Sequence, residues 1–205
     1  DWQQAELMQI GPSGTAGKRL GGMDYRDRIY SFPVSSSCRV DQELVRNTFS
    51  DDGWVEGAQF NVRGLDAIEY LLFGVTETNT CPSVSGINRS GTWNAEFAQN
   101  AEELLRRRTA FAKILSAAVS TDAAYLRDAW KDESGSFGHA LLNNESPIDS
   151  EQNALDQIFA GIFYVDKFVK DLKLAKPAGI SDDCPNDACP DSVESKWSDS
   201  SKVNL

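Results

Sequence analysis

The sequence predicts an all-α fold in which long helices pack side by side as a bundle, and three observations support this prediction. Apolar residues recur at three- and four-residue spacing along most of the 205-residue chain, as they do on one face of a helix. No stretch of useful length alternates apolar and polar residues as a strand does. Helices with a single apolar stripe bury that stripe against each other, which is the packing of a helical bundle.

Four helices are predicted in the first half of the chain from their apolar spacing and their stop signals. Gly11-Pro12 ends the first, because glycine accepts the positive φ of a helix C-terminus and proline cannot continue the helix. Pro33 limits the second, and Gly74 ends the fourth. In order, the predicted helices are Trp2–Ile10, Tyr25–Phe32, Arg39–Phe49 and Gln59–Phe73.

Two longer helices are predicted in the second half, after a polar loop over residues 75–91. The first spans Trp93–Asp132, with Ser120-Thr121-Asp122 as either an internal kink or the cap of a second helix. The other begins at Ser146-Pro147 and runs to about Leu174. Its serine supplies a capping oxygen and its proline suits the first turn.

The composition predicts a division into a helical domain over residues 1–179 and a distinct segment over residues 180–205. This second segment holds six acidic residues, two basic residues and six serines. We expect it to be an extended surface segment or a linker between helices.

The overall charge and the histidine count exclude several classes of function. Twenty basic and 31 acidic side chains give a net charge of −11, which argues against nucleic-acid binding because that needs a clustered basic face. The run Arg106-Arg107-Arg108 is expected on the solvated side of a helix. The single histidine, His139, is expected in a polar loop and rules out sites built from several imidazoles. No stretch reaches the roughly 18 apolar residues of a membrane span.

The four cysteines predict disulfides and an oxidising compartment. They allow three pairings, and two arguments favour Cys184 with Cys189 and Cys38 with Cys81. The first pair is local and lies in a proline-punctuated loop, and the second pair lies at loop or helix-end positions. An even number of cysteines in such positions is typical of periplasmic or extracellular proteins. A C-x4-C metal site is the alternative, although tetrahedral zinc ligands are lacking nearby.

The segment most indicative of a site is the predicted helix around Asp66 and Glu69. The two carboxylates are three residues apart, so they share one helix face and repel each other unless a cation or a proton lies between them. They are solvated acids, members of a buried structural network, or ligands of a metal or polar molecule. Gly64 indicates a close approach by another group, because glycine costs about 1 kcal/mol inside a helix.

These residues resemble the GxHxxE motif of the imelysin family of bacterial envelope proteins. Gly64-x-Asp66-x-x-Glu69 is followed by Tyr70-Leu71-Leu72-Phe73-Gly74, and further family blocks occur in consistent order. These blocks are Trp2-x-x-x-Glu6 with Gly11-Pro12, Arg26–Pro33 with Cys38-Arg39-Val40-Asp41-Gln42, and Asp171–Gly179. The family motif usually has histidine where this chain has Asp66. Aspartate binds hard cations through oxygen but offers no imidazole, which weakens a zinc-hydrolase interpretation.

The resemblance implies a fold of two bundle-like halves with the motif near their junction, and this chain is expected to cover the central part. It implies a periplasmic or outer-membrane location, often as a lipoprotein, and a link to iron uptake. Envelope iron-uptake proteins are the protein partners that it suggests.

Binding is favoured over catalysis, because hydrolysis usually needs three protein ligands on a metal and this chain lacks the histidine of the family motif. A metal ion, with iron preferred, or a small iron-bearing ligand would bind at Gly64, Asp66 and Glu69, with the two acids as metal ligands. Arg28, in another family block, is the cation expected to approach these acids, or else it pairs locally with Asp24 or Asp27. The alternative is a metallopeptidase of the imelysin type, in which Glu69 is the base or a metal ligand.

Overall fold

The architecture is that of a computed structural model, which describes residues 11, 25–31, 35–74, 77–146, 148–182, 184, 189, 193 and 197. The described residues form helices, turns and bends, with no β-strand among them. This confirms the predicted all-α class. The predicted helix Trp2–Ile10 lies outside the described residues.

Nine α-helices are present in the described parts of the chain. They are α1 (Tyr25–Ile29), α2 (Ser37–Arg46), α3 (Trp54–Gly57), α4 (Gly64–Phe73), α5 (Gly86–Arg89), α6 (Thr92–Phe97), α7 (Ala101–Ala129), α8 (Phe137–Asn143) and α9 (Glu151–Tyr164). A 3-10 turn, Phe60–Val62, precedes α4, and a π-helix, Val165–Ala175, continues α9.

Two of the predicted helices are interrupted. The one expected over Gln59–Phe73 breaks at Arg63, whose extended backbone (φ −133°, ψ −174°) separates the 3-10 turn from α4. The one expected over Trp93–Asp132 breaks between α6 and α7, where the Asn100 side chain accepts a hydrogen bond from the Glu103 amide at 3.1 Å. Such a side-chain oxygen satisfies an amide that the first helical turn leaves unpaired. Helix α7 then continues through Thr121 to Ala129 as one helix, so Ser120-Thr121-Asp122 does not begin a second helix.

The predicted start at Ser146-Pro147 is wrong by one turn. Helix α9 begins at Glu151, and Ser150 accepts a hydrogen bond from the Asn153 amide at 3.1 Å. Asp149 has a positive φ of 50°, which turns the chain just before this helix. Serine is a good cap at either position, so the capping rule does not choose between them.

The chain folds into two compact units. One comprises residues 27–120 with 194–205, and the other comprises residues 1–26 with 121–193. The predicted division at residue 179 concerns composition and stays a prediction.

The core of the unit that contains residues 27–120 is built from α2, α4, α6 and α7. Phe111 of α7 is fully buried, stacks on Phe49 with ring centroids 4.6 Å apart, and meets Trp54 edge-on at 5.2 Å. Val40 and Leu44 of α2 are likewise fully buried. Burial of a large apolar side chain contributes roughly 1.5–3 kcal/mol, so this cluster fixes how the four helices pack.

The expectation that Arg106-Arg107-Arg108 forms a solvated face is wrong for two of the three arginines. Only Arg106 is exposed, and Arg108 is 2% exposed. Arg107 donates to the Leu44 carbonyl at 3.0 Å, near the C-terminus of α2. Arg108 donates to the carbonyls of Leu71, at 2.8 Å, and of Tyr70, near the C-terminus of α4. Arg107 and Arg108 therefore satisfy the Leu44 and Leu71 carbonyls at two helix ends, whereas the Tyr70 carbonyl also accepts from the Gly74 amide at 2.8 Å.

The other unit holds smaller aromatic contacts. Tyr25 stacks on Tyr125 with ring centroids 4.4 Å apart, and Trp130 meets Phe137 edge-on at 5.2 Å. His139, expected in a polar loop, lies in α8 instead, with its Nδ1 2.6 Å from an Asp132 carboxylate oxygen. Ser136 caps this short helix by accepting from the His139 amide.

The cysteines form two disulfides, which confirms the prediction of disulfide bonding. Cys38 pairs with Cys81 across 43 residues, and Cys184 pairs with Cys189 across five. This is the pairing that the loop contexts favour. Cys38–Cys81 joins the first turn of α2 to the segment after α4.

None of the helices among the described residues is both long enough and apolar enough to cross a bilayer.

Candidate functional site

Helix α4 carries the motif, and Gly64 sets how it begins. Gly64 has a φ of +79°, and a Cβ there would lie 2.5 Å from Ser31 Oγ and 2.8 Å from the Ile29 carbonyl oxygen. The Asp66 amide donates to the Tyr30 carbonyl at 3.2 Å. The group that approaches Gly64 is therefore the backbone after α1, and a side chain at position 64 would separate the two segments.

Asp66 lies in the first turn of α4 and Glu69 near its middle, and both are half-buried. One carboxylate oxygen of Glu69 accepts a hydrogen bond from the backbone amide of Trp197 at 3.0 Å. The same helix exposes an apolar edge next to these acids, since Leu65, Leu72 and Phe73 are 42%, 58% and 59% exposed. The motif thus combines two partly shielded carboxylates with accessible apolar surface.

Behind the motif, Tyr70 belongs to a buried polar network centred on Asp41. The Tyr70 hydroxyl donates to one oxygen of Asp41 at 2.8 Å. The amide and the hydroxyl of Thr80 both donate to the other oxygen, at 2.8 and 2.9 Å. The carboxylate of Asp41 is fully buried and has partners on both oxygens, as a buried acid requires.

Burial is the main influence on the pKa values of this network. It raises the pKa of Asp41 above its ordinary range, and the hydrogen bonds from Thr80 and Tyr70 and the nearby charge of Arg108 act in the opposite direction. Burial also raises the pKa of Tyr70, and the neighbouring Asp41 raises it further. Tyr70 therefore stays a hydrogen-bond donor throughout the physiological pH range.

Two aromatic contacts join this network to the motif. The guanidinium of Arg108 lies 5.0 Å from the centroid of the Tyr70 ring. The indole of Trp197 meets the same ring edge-on, with centroids 5.0 Å apart. Tyr70 is thus held between the buried cation and Trp197, and Trp197 also contacts Glu69.

Arg28, the cation expected near the acids, is half-buried in α1. Helix α1 ends at Ile29, directly before the backbone that contacts Gly64. The approach of Arg28 to Asp66 and Glu69 stays a prediction.

The donor set does not match a closed metal centre. In the described ranges no three side chains of histidine, cysteine, aspartate or glutamate come together in a way that could hold an ion. Asp66 and Glu69 offer carboxylate oxygens from one helix, and one of these oxygens already accepts a hydrogen bond. A structural zinc ion takes four ligands and a catalytic one takes three from the protein, so Asp66 and Glu69 do not by themselves complete a zinc site, and their role as metal ligands stays a prediction.

Asp41, Thr80, Arg108 and Trp197 are the site-related residues that sequence reasoning missed. Arg108 had a signal, because it lies on the apolar stripe of Leu104, Phe111 and Leu115 at helical spacing. Trp197 had none, because 128 residues separate it from Glu69.

Comparison with known proteins finds one family over the whole chain. A family model described as Imelysin, which is labelled as a peptidase family, matches residues 1–205. No curated protein and no solved structure matches the chain.

Proposed function

Since the chain belongs to the imelysin family, we propose that it is a cell-envelope binding protein associated with iron acquisition. Its cargo is a metal ion or a small iron-bearing ligand, and the site is centred on Asp66 and Glu69 of α4. Gly64 contributes by allowing the close approach of the backbone after α1. Envelope iron-uptake proteins are the partners that we propose for this function.

The partial shielding of the two acids is the observation that carries the proposal. Asp66 and Glu69 are half-buried on a helix whose neighbouring edge is apolar and exposed. Acids are rarely shielded from water in proteins, and two carboxylates on one helix face favour a cationic group beside them. A ligand with a cationic or metal-bearing part and an apolar part complements such a surface.

An iron-bearing ligand fits this donor set better than a bare ion. Two carboxylates leave most coordination positions of a hard cation unfilled. A chelated iron brings its own donor atoms and needs only a few contacts from the protein. We therefore favour a chelate as the cargo.

The peptidase label of the family model suggests a second function, a metallopeptidase with Glu69 as base or ligand. Metal-assisted hydrolysis ordinarily uses three protein ligands and an open coordination position. The donor set around α4 supplies two acids, and Asp66 replaces the histidine of the family motif. Binding is therefore the better-supported function. Incubation of the metal-loaded protein with a peptide library tests the alternative, and metal-dependent cleavage lost in Glu69→Ala would establish it.

An envelope location is the third part of the proposal. Imelysin-family proteins are envelope-associated, and the two disulfides are of the kind that oxidising compartments maintain. We propose the periplasm or the outer membrane, with attachment as a lipoprotein. Cell fractionation of a strain that expresses the full-length protein tests this location.

The binding proposal is tested by calorimetric titration with Fe(II), Fe(III), ferric citrate, Zn(II) and Ca(II), together with elemental analysis. The double variant Asp66→Ala/Glu69→Ala is expected to lose at least about tenfold in affinity for each carboxylate removed. The matched control is Asp51→Ala/Asp52→Ala, which removes two exposed carboxylates of the same unit. Equal affinities in all three proteins would refute the proposed site.

A purely structural role of the motif makes a different prediction. In that case Glu69→Ala lowers the free energy of unfolding and leaves every affinity unchanged. Denaturant titration of the same samples separates the two roles. Under the binding proposal, Glu69→Ala loses more affinity than a variant outside the motif that lowers the free energy of unfolding by the same amount.

A further inference from the structure

Trp197 makes two contacts with the motif helix that the family motif does not include. Its backbone amide donates to Glu69 at 3.0 Å, and its indole meets the Tyr70 ring edge-on at 5.0 Å. The indole also packs against the buried core that contains Val40, Leu71 and Phe111. A residue 128 positions away in sequence thus lies on the acid that we propose as a ligand.

The two contacts have different physical roles. The edge-on ring contact and the core packing hold Trp197 in place, because aromatic burial is the larger contribution. The amide–carboxylate hydrogen bond is charge-assisted and directional. It occupies one oxygen of the Glu69 carboxylate.

We propose that Trp197 closes the Glu69 side of the site and that a ligand which takes Glu69 displaces it. This inference rests on the proposed function and adds that Trp197 and the ligand compete for Glu69. The Glu69 carboxylate exchanges the amide of Trp197 for the ligand, and the indole leaves Tyr70 in the same step. Trp197 therefore lowers ligand affinity by the free energy of its own docking.

Trypsin offers a direct probe of this contact. The amide that donates to Glu69 belongs to the peptide bond between Lys196 and Trp197, and trypsin cleaves after lysine. A protease needs its target bond free, so cleavage there reports the undocked fraction. Cleavage at Lys113, in the middle of α7 beside the buried Ala112, reports global unfolding in the same digest.

In the absence of ligand, Glu69→Ala is expected to speed cleavage at Lys196 about tenfold, the effect of losing one hydrogen bond to a charged group. Glu69→Gln keeps a hydrogen-bond acceptor, so its rate of cleavage at Lys196 is expected to lie between those of Glu69→Ala and wild type. Cleavage at Lys113 should not change. Equal cleavage at Lys196 in wild type and Glu69→Ala would overturn the proposal.

The competition is tested with ferric citrate as the probe. Added to the wild-type protein, it is expected to speed cleavage at Lys196, and it should have no effect on Glu69→Ala. Trp197→Ala, which loses the indole, is expected to bind ferric citrate several-fold more tightly than wild type. Protection of the Lys196 bond by the probe, or weaker binding by Trp197→Ala, would overturn the competition.

Trp54→Ala is the matched control. Trp54 is also half-buried and packs on the same core, but it contacts Phe111 rather than the motif. It should change neither cleavage at Lys196 nor probe affinity, beyond its effect on stability. If wild type binds no probe, the proposed function fails, while the comparison of wild type with Glu69→Ala still decides whether Trp197 docks on Glu69.

Discussion

At the scale of single residues, Gly64 shows how one missing side chain determines the geometry of the motif. It combines a left-handed backbone with a contact so close that a Cβ would overlap Ser31 and the Ile29 carbonyl. Ser31 itself has a φ of 62° and is fully buried, with its hydroxyl donating to the Asp27 carbonyl. The unusual backbones of these two residues bring the segment after α1 against the start of α4.

Gly64→Ala is therefore expected to lower the free energy of unfolding by about 3 kcal/mol, since the left-handed backbone costs alanine roughly 1–2 kcal/mol and the overlap adds roughly 1–3 kcal/mol. Gly53→Ala is the matched control, because Gly53 has a φ of +77° but a Cβ there meets nothing within 4 Å. It should cost only the backbone part, about 1–2 kcal/mol. Urea denaturation measures both, and equal losses would show that the close contact at Gly64 is relieved by movement of Ser31.

At the scale of helices, consecutive arginines of α7 connect this helix to α2 and α4. Arg107 and Arg108 satisfy the C-terminal carbonyls of α2 and α4, while Arg106 faces solvent and pairs with Glu103. A cation at a helix C-terminus is favoured by the helix dipole as well as by the hydrogen bonds. The rotation of α7 by about 100° per residue explains why neighbours in one basic run have opposite environments.

Removing the buried cap should be much more costly than removing its exposed neighbour. Arg108→Met is expected to lower the free energy of unfolding by about 2–3 kcal/mol, because the buried Leu71 carbonyl loses its donor. Arg106→Met removes an exposed ion pair and should cost less than about 1 kcal/mol. Parallel thermal and urea denaturation of the two variants measures the contrast, and similar losses would contradict the capping role of Arg108.

The ion pairs in the first turn of α7 are expected to make the stability of the fold depend on pH. Hydrogen bonds from Arg106 and Arg107 lower the pKa of Glu103 to about 2. A carboxyl group whose pKa is lower in the folded state stabilises the fold above its unfolded pKa and loses this contribution as pH falls through the folded value. Wild type should therefore exceed Glu103→Gln in melting temperature at pH 7, and the difference should shrink from about pH 5 towards pH 2. A difference that is constant over this range would contradict the prediction.

At the scale of the whole molecule, the disulfides constrain the chain very unequally. Cys38–Cys81 closes a loop of 43 residues that contains α2 to α4, and Cys184–Cys189 closes one of five. The longer link also places Thr80, the residue before Cys81, where its amide and hydroxyl bond Asp41. It therefore supports the polar network behind the motif as well as restricting the unfolded chain.

Loss of Cys38–Cys81, which closes the longer loop, should destabilise the fold more than loss of Cys184–Cys189. Loop-closure entropy predicts a cost of about 4 kcal/mol for Cys38→Ser/Cys81→Ser and about 2 kcal/mol for Cys184→Ser/Cys189→Ser. Guanidinium denaturation of both double variants measures these costs. An equal or reversed order would mean that the two bonds act mainly through native contacts rather than through the unfolded chain.

The sequence by itself determined the helical class, most helix positions, the disulfide bonding and the family. These follow from local spacing, since apolar stripes such as Val40–Leu44 and stop signals such as Gly74 act within a few residues. The family match then rests on blocks that are contiguous in the chain. Helix ends were less well predicted, because several residues near a boundary can cap equally well, as Ser146 and Ser150 show.

Only the tertiary structure decided which polar residues are buried and which distant residues meet at the motif. Arg108 and Asp41 are buried because carbonyls and donors from other segments satisfy them, which local sequence does not reveal. The close contact of Gly64 with Ser31 and the docking of Trp197 on Glu69 likewise join segments far apart in sequence. Such contacts depend on how the helices pack, and the chain order of their residues carries no signal of them.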